Sequence, residues 1–263
     1  MKTMYRLVVM MAAAVALLAL TAHVHASKLD SRIESSARKS YVFKNYLQAD
    51  DIKIQSEDGA VTLTGTVSEE LHKSLAHETV ASLSGVESVD NRLEVKEEHP
   101  AENSDAWLTS KVKTMLLFHH NVSPMTEVNI KDGIVTLRGK ANSQAQRDTT
   151  TEYTGDVEGV KGVNNEMTVS KTSKKTQTAG GEIDDASISA LVKITLLYHR
   201  STRTLNTAVT TSRGVVTLNG QAETEAEKDL ATKFANDVKG VKGVNNQMTI
   251  GSSTLKPRRP IHR

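Results

Sequence analysis

Lys131-Asp132-Gly133-Ile134-Val135-Thr136-Leu137-Arg138-Gly139 is one of three versions of the same stretch. Glu57-Asp58-Gly59-Ala60-Val61-Thr62-Leu63-Thr64-Gly65 precedes it, and Ser212-Arg213-Gly214-Val215-Val216-Thr217-Leu218-Asn219-Gly220 follows it. A second block trails each version: Gly85-Val86-Glu87-Ser88-Val89-Asp90-Asn91, Gly159-Val160-Lys161-Gly162-Val163-Asn164-Asn165, and Gly240-Val241-Lys242-Gly243-Val244-Asn245-Asn246. Gly133 lies 74 positions after Gly59, and Gly214 lies 81 after Gly133; the second block shifts by the same amounts. The repeated core therefore carries no insertion, and the seven extra residues fall outside it.

Within each version the residues alternate. Val135, Leu137, Gly139 and Ala141 share one side of an extended chain, with Thr136, Arg138 and Lys140 on the other. That is the pattern of a strand buried on one face. Asp132-Gly133 between this run and Val128-Asn129-Ile130 predicts a tight hairpin, because glycine accepts the positive φ such turns need. Upstream, Leu108, Val112, Met115 and Leu116, and in the third copy Ile188, Val192, Thr195 and Leu196, recur at helical spacing. Downstream, Ser143-Gln144-Ala145-Gln146 and Thr224-Glu225-Ala226-Glu227 are capping boxes. They open a second helix whose buried stripe is Ala226, Leu230, Ala231, Phe234 and Val238 in copy three, and Leu71, Leu75, Ala76, Val80 and Leu83 in copy one. Gly85, Gly159 and Gly240 are expected to end that helix with a left-handed cap. A last strand follows, for example Val163, Asn165, Met167 and Val169.

The fold class is thus α+β, with three tandem αββαβ units. Each is predicted to pack two helices on one face of a small three-stranded mixed sheet, with a right-handed crossover. Gly65, Gly139 and Gly220 interrupt otherwise good strands and point to a bulge or to a covering helix close by. Asn91, Asn165 and Asn246 sit on the apolar side of the last strand. Buried amides of this kind bond to backbone, here expected at the loop after the helix.

These residues resemble the BON domain, a module of bacterial envelope proteins. The resemblance rests on Gly59, Gly65, Gly85 and Asn91, on Gly133, Gly139, Gly159 and Asn165, and on Gly214, Gly220, Gly240 and Asn246. It spans residues 28–251, with Arg213 replacing the usual acid before the turn glycine. The first copy has a longer lead-in with Tyr41, Phe43 and Tyr46. The resemblance implies a non-enzymatic envelope function, linked to osmotic and other stress, to membrane integrity and in some members to anionic phospholipid. It implies no ligand for the motif residues, which read as fold signature.

Residues 1–26 read as a signal peptide: Lys2 and Arg6, an apolar run from Leu7 to Leu20, then Val24-His25-Ala26. The run is too short for a membrane-spanning helix. Units are expected at 27–97, 105–170 and 183–251, with linkers at 98–104 and 171–182 and a basic tail at 252–263. The chain has 33 Lys+Arg and 31 Asp+Glu; cleavage would remove two bases and no acid. A neutral mature chain with one Trp, four Tyr and three Phe lacks both the charge and the stacking platforms for nucleic acid. Without cysteine it has no thiol chemistry and no disulfide. Each unit is near the minimum size for folding alone, so the units are expected to lean on one another.

No catalytic constellation, cofactor motif or metal set is expected. His119-His120 and His199 recur at the end of the first helix, where a dipole argument suffices. Paired acids flank helix starts, and no phosphate loop or nucleophile elbow occurs. Candidate lipid contacts are Trp107, Lys111, Lys113 and Phe118 on one helix and Lys256, Arg258 and Arg259 in the tail, since basic residues are drawn to anionic headgroups. Envelope proteins are the alternative partner, met by apolar patches or open sheet edges of three units on flexible linkers.

Overall fold

The computed structural model describes residues 28–96, 100–101, 104–123, 126–170 and 182–251. The signal peptide, much of both linkers, and Lys256, Arg258 and Arg259 lie outside the described residues. The chain divides into two compact units, one up to His99 and one from Pro100 onward. The first holds copy one; the second holds copies two and three together.

In the first unit, α1 (28–39) and α2 (Tyr41–Asn45) take the place of a single helix. Ser40 makes the break: its hydroxyl donates to the Ala37 carbonyl at 2.8 Å and accepts from the Phe43 amide, capping a new turn. Then come β1 (Asp51–Glu57), β2 (Ala60–Val67), α3 (Glu70–Ala81) and β3 (Ser88–Val95). β2 is central, antiparallel to β1 and parallel to β3. The inward residues Val61, Leu63 and Val67 are fully buried with Leu71, Leu75 and Val80 of α3.

The second unit builds the same order twice. Copy two contains α4 (Asp105–Phe118), β4 (Glu127–Lys131), β5 (Ile134–Arg138), β6 (Lys140–Ala141), α5 (Gln144–Asp156), β7 (Gly162–Asn165) and β8 (Thr168–Val169). Copy three contains α6 (Asp185–Tyr198), β9 (Asn206–Ser212), β10 (Val215–Ala222), α7 (Glu225–Asn236), β11 (Gly243–Asn246) and β12 (Thr249–Ile250). The hairpins are antiparallel and the crossovers parallel, as the sequence predicts. Both capping boxes form, with Ser143 accepting from Gln146 and Thr224 from Glu227. On the expected stripe of α7, Ala231, Phe234 and Val238 are buried, with Ala235 beside them, whereas Ala226 is exposed and Leu230 half-buried.

Three expectations about motif residues change. At Gly65 and Gly220 the strand glycine marks neither a bulge nor a covering helix. Gly220 has φ +145°, and a Cβ there would lie 2.1 Å from the Asn206 carbonyl oxygen of the paired strand; at Gly65 the Asp51 carbonyl is equally close. The glycines after the second helix are not its caps. α3 is capped at Ser82 and α7 at Asp237, and Gly85 and Gly240 use their positive φ to turn the chain into the last strand. The strand asparagine does bond to backbone, but to the helix. Asn246 Nδ2 donates to the Lys228 carbonyl at 3.0 Å, and its Oδ1 accepts from the Met248 amide at 2.9 Å. Asn91 and Asn165 repeat this with Lys73 and Arg147. The amide thus ties the crossover helix to the edge strand.

A second structural role was not foreseen. The first helix of each copy opens with an aspartate whose carboxylate accepts both amides at the hairpin turn. Asp30 takes Asp58 and Gly59, Asp105 takes Asp132 and Gly133, and Asp185 takes Arg213 and Gly214. Bonds from Ser56 and from the Gly59 and Asp58 amides hold the Asp30 carboxyl below its ordinary range.

Candidate functional site: a histidine clasp between the second and third copies

α4 and α6 stop at Phe118 and Tyr198 because the next residues, His119 and His199, turn extended. A helix end leaves carbonyls without partners. Here each copy satisfies the other's. Lys239 donates its amide to the Phe118 carbonyl at 2.8 Å, and His120 donates to the Asp237 carbonyl at 3.0 Å. In return Glu158 donates to the Tyr198 carbonyl at 3.1 Å, and Arg200 donates to the Asp156 carbonyl at 2.7 Å. His119 bridges Val238 and His199 bridges Val157, both antiparallel. The exchange is reciprocal: equivalent residues of the two copies swap the same bonds about a local two-fold.

The side chains follow the same symmetry. His119 and His199 are 1% and 0% exposed, and their Nε2 atoms face each other at 3.4 Å. His199 stacks on Phe234 with ring centroids 4.1 Å apart, and His119 lies 4.3 Å from the Tyr153 ring. Behind each imidazole sits a carboxylate: Nδ1 of His119 is 3.4 Å from Asp237 Oδ2, and Nδ1 of His199 is 3.3 Å from Asp156 Oδ2. These contacts are long, and neither Nδ1 makes a hydrogen bond of good geometry. Val157 and Val238, the bridge partners of the two histidines, are both fully buried.

Electrostatics at the clasp is dominated by burial. Burial pushes His119 below the ordinary imidazole value, with the charge of His199 acting the same way and Asp237 opposing. At Asp156 burial raises the carboxyl, but the neighbouring His199 imidazole and the bond from Ser201 outweigh it and leave the net shift downward. Burial and the Asp237 charge hold the Tyr153 phenol well above its usual range, and burial lowers the Lys239 ammonium. Around the rim, Ser201 Oγ donates to Asp156 at 2.6 Å, Arg200 donates to the Val160 carbonyl at 2.8 Å, and Arg203 pairs with Glu158.

Copy one lacks this set. Its equivalents of the histidine, aromatic and aspartate are Lys44, which is exposed, Thr79 and Ser82. The clasp is therefore particular to copies two and three. They are joined in one body rather than strung on a flexible linker.

The predicted site residues separate. Phe118 is fully buried and Lys111 is 6% exposed, so neither faces a membrane. The Lys111 ammonium lies over the rings of Trp107 and Tyr198, 4.8 and 4.7 Å from their centroids, and donates to the Glu158 carbonyl. Its side of α4 is polar by helical spacing but is covered by the third copy. Lys113 is exposed and Trp107 is part-buried. The fold-signature glycines and asparagines stay within the architecture described above.

One further cluster has catalytic residue types. His72 Nδ1 lies 2.6 Å from Asp50 Oδ2 and 2.9 Å from Ser68 Oγ, with Glu69 3.4 Å from Nε2. Serine and aspartate meet the same ring nitrogen, so the imidazole is not poised between them as in a nucleophilic triad. Asp50 also accepts the Ser68 amide, which makes the group a brace at the start of α3. Among the described residues no group of three His, Asp or Glu side chains converges as a metal site, and the two clasp nitrogens supply only two ligands.

With this geometry in view, the class of the chain follows. The family model for the BON domain matches residues 29–97, 104–171 and 184–252, and the chain belongs to that family. It is similar to "Osmotically-inducible protein Y" of Escherichia coli (strain K12), with 32% identity over 146 residues, covering 55% of this chain and 71% of that protein. An "Uncharacterized protein in gshII 5' region" of Anaplasma centrale is 29% identical over 140 residues, covering 53% of this chain and 91% of that one. Among solved structures, CdsD, a structural protein of the type III secretion system of Chlamydia trachomatis, overlaps 86% of this chain and 98% of its own. Its identity is 16% and its TM-score 0.24, too low to carry an argument.

Proposed function

We propose that this chain is an exported, non-enzymatic envelope protein that supports the envelope under osmotic or other stress by adsorbing to anionic phospholipid surfaces. The observation that carries the reading is the run of three BON domains in a relative of an osmotically inducible protein. The leader-like first 26 residues support export to the periplasm. Among the described residues no helix is long and apolar enough to cross a membrane, so contact through them is peripheral. Its elements are the exposed Lys113, the part-buried Trp107 and the basic tail with Lys256, Arg258 and Arg259. Each basic residue near an anionic surface contributes about 1 kcal/mol, which gives weak, salt-sensitive adsorption.

Co-sedimentation of the mature chain with vesicles tests this. Binding to phosphatidylglycerol-containing vesicles, reduced by salt and by deletion of residues 256–263, is the expected result. No binding at low salt refutes it.

A second reading, a chaperone-like scaffold for envelope proteins, is favoured by one feature. Copies two and three expose aliphatic side chains in equivalent pairs: Leu117 and Leu197, Ile134 and Val215, Val169 and Ile250. Suppression of client aggregation at stoichiometric dose, without vesicle binding, would select it.

A further inference from the structure

The clasp places two imidazoles Nε2 to Nε2 at 3.4 Å inside an interface that excludes water. One proton fits between those two nitrogens, donated by one ring and accepted by the other. A second would set two N–H groups against each other in place of a hydrogen bond, on rings whose centroids are 5.6 Å apart. We propose that this pair is a proton-operated latch: copies two and three stay docked while the rings share one proton, and separate when both become charged.

Every charged group facing the pair bears on the direction. From α5 come Asp156, Tyr153 and, further out, Glu152; from α7 come Asp237 and Lys233, the latter paired with Glu152. The segments after the helices add Glu158 and Lys239, and beyond α4 and α6 lie His120, Arg200 and Arg203. Asp237 favours a charged His119, and both carboxylates face Nδ1, on the side of each ring away from the Nε2–Nε2 contact. Burial opposes charge on His119 and displaces it downward.

The sign follows from linkage. A histidine harder to protonate when docked than when free binds more protons in the released state. Docking is then complete above the free value of 6.5 and is lost as pH falls below it. Asp156, held below its ordinary value, adds loss in the same direction at still lower pH. Release would bare Tyr153, Val157, Phe234 and Val238, none of them more than 3% exposed when docked. The device converts external acid into exposed apolar surface, which an exported chain would meet directly. Copy one, with Lys44, Thr79 and Ser82 at these places, has no part in it.

The absence of cysteine makes a clean test available. Spin labels at N129C and T210C, on exposed positions of β4 and β9, report the separation of the two copies in the otherwise intact mature chain. A narrow distance distribution at pH 7.5 should broaden and lengthen as the pH is brought down to 5, with its midpoint below the free imidazole value of 6.5. The H77Q variant, altered at a histidine of copy one, should behave as wild type, and H119Q/H199Q should lose the response. An unchanged wild-type distribution down to pH 5 overturns the proposal. So does a transition that survives in H119Q/H199Q.

Discussion

Replacing Gly220 by alanine should unsettle copy three far more than its size suggests. The residue holds φ +145°, and an added Cβ would stand 2.1 Å from the Asn206 carbonyl oxygen and 3.2 Å from its carbon. Backbone strain for a non-glycine residue in such a region costs about 1–3 kcal/mol. Relieving the clash means parting β9 from β10 near the pair Gly220–Thr207, which gives up one or two ladder bonds at about 1 kcal/mol each. Reduced freedom of the unfolded chain returns about 0.4–1 kcal/mol. The net loss is about 3 kcal/mol, a fall in melting temperature of about 6–12 °C for a body of this size. The single tryptophan, Trp107, lies in the same compact unit, so its fluorescence follows the transition. Gly243→Ala is the control: nothing lies within 4 Å of a Cβ there, and it should be neutral or slightly stabilising. A Gly220→Ala protein melting within about 2 °C of wild type would refute the assignment of the strand glycine to close backbone approach.

Other outcomes follow from single side chains. Asn246→Ala removes the tie from the last strand to α7 and should cost about 1–3 kcal/mol in denaturant unfolding followed by Trp107, as part-buried partners lose their bonds. The Asp30 carboxyl is displaced downward, so its hold on the first hairpin turn is fully present above the ordinary value of 3.8 and is lost as pH falls through the lowered one. Amide exchange at Asp58 and Gly59 should accelerate in that range, and Asp30→Asn should abolish the pH dependence. Lys111→Met should leave vesicle binding unchanged while lowering stability by about 1–2 kcal/mol, from the loss of its ring contacts and its bond to Glu158. Lys113→Glu should do the reverse, weakening binding to anionic vesicles with stability within about 0.5 kcal/mol.

How much of this was written in the sequence depends on the range of the interaction. Alternation at Val135, Leu137 and Ala141 and the Asp132-Gly133 turn are local signals, and the sheet follows them. Helical spacing likewise placed Leu108, Val112 and Met115 inward. The same spacing misplaced Lys111 and Phe118, because α4 is covered by another copy as well as by its own sheet, and periodicity within one copy cannot report that. Spacing could not say which neighbour crowds Gly220 either, since a bulge, a helix and a paired strand all demand a glycine. The clasp escaped for the same reason. His119 and Asp237 belong to different copies, and each looks ordinary within its own. A signal was present nonetheless. Copies two and three share a histidine after the first helix, an aromatic residue in the second helix and an aspartate at its end. Copy one has none of the three. Divergence between repeats, read as a set, marks where repeats meet.

Hydrogen exchange at four amides tests most directly whether copies two and three are one clasped body. His120, Glu158, Arg200 and Lys239 each donate to a carbonyl of the other copy. At pH 7.5 they should be protected like the strand amides of β5 and β10, and all four should lose protection together in H119Q/H199Q or on acidification. Exchange at the rate of open loops at pH 7.5, with β5 and β10 still protected, would contradict the clasp and leave three separate domains.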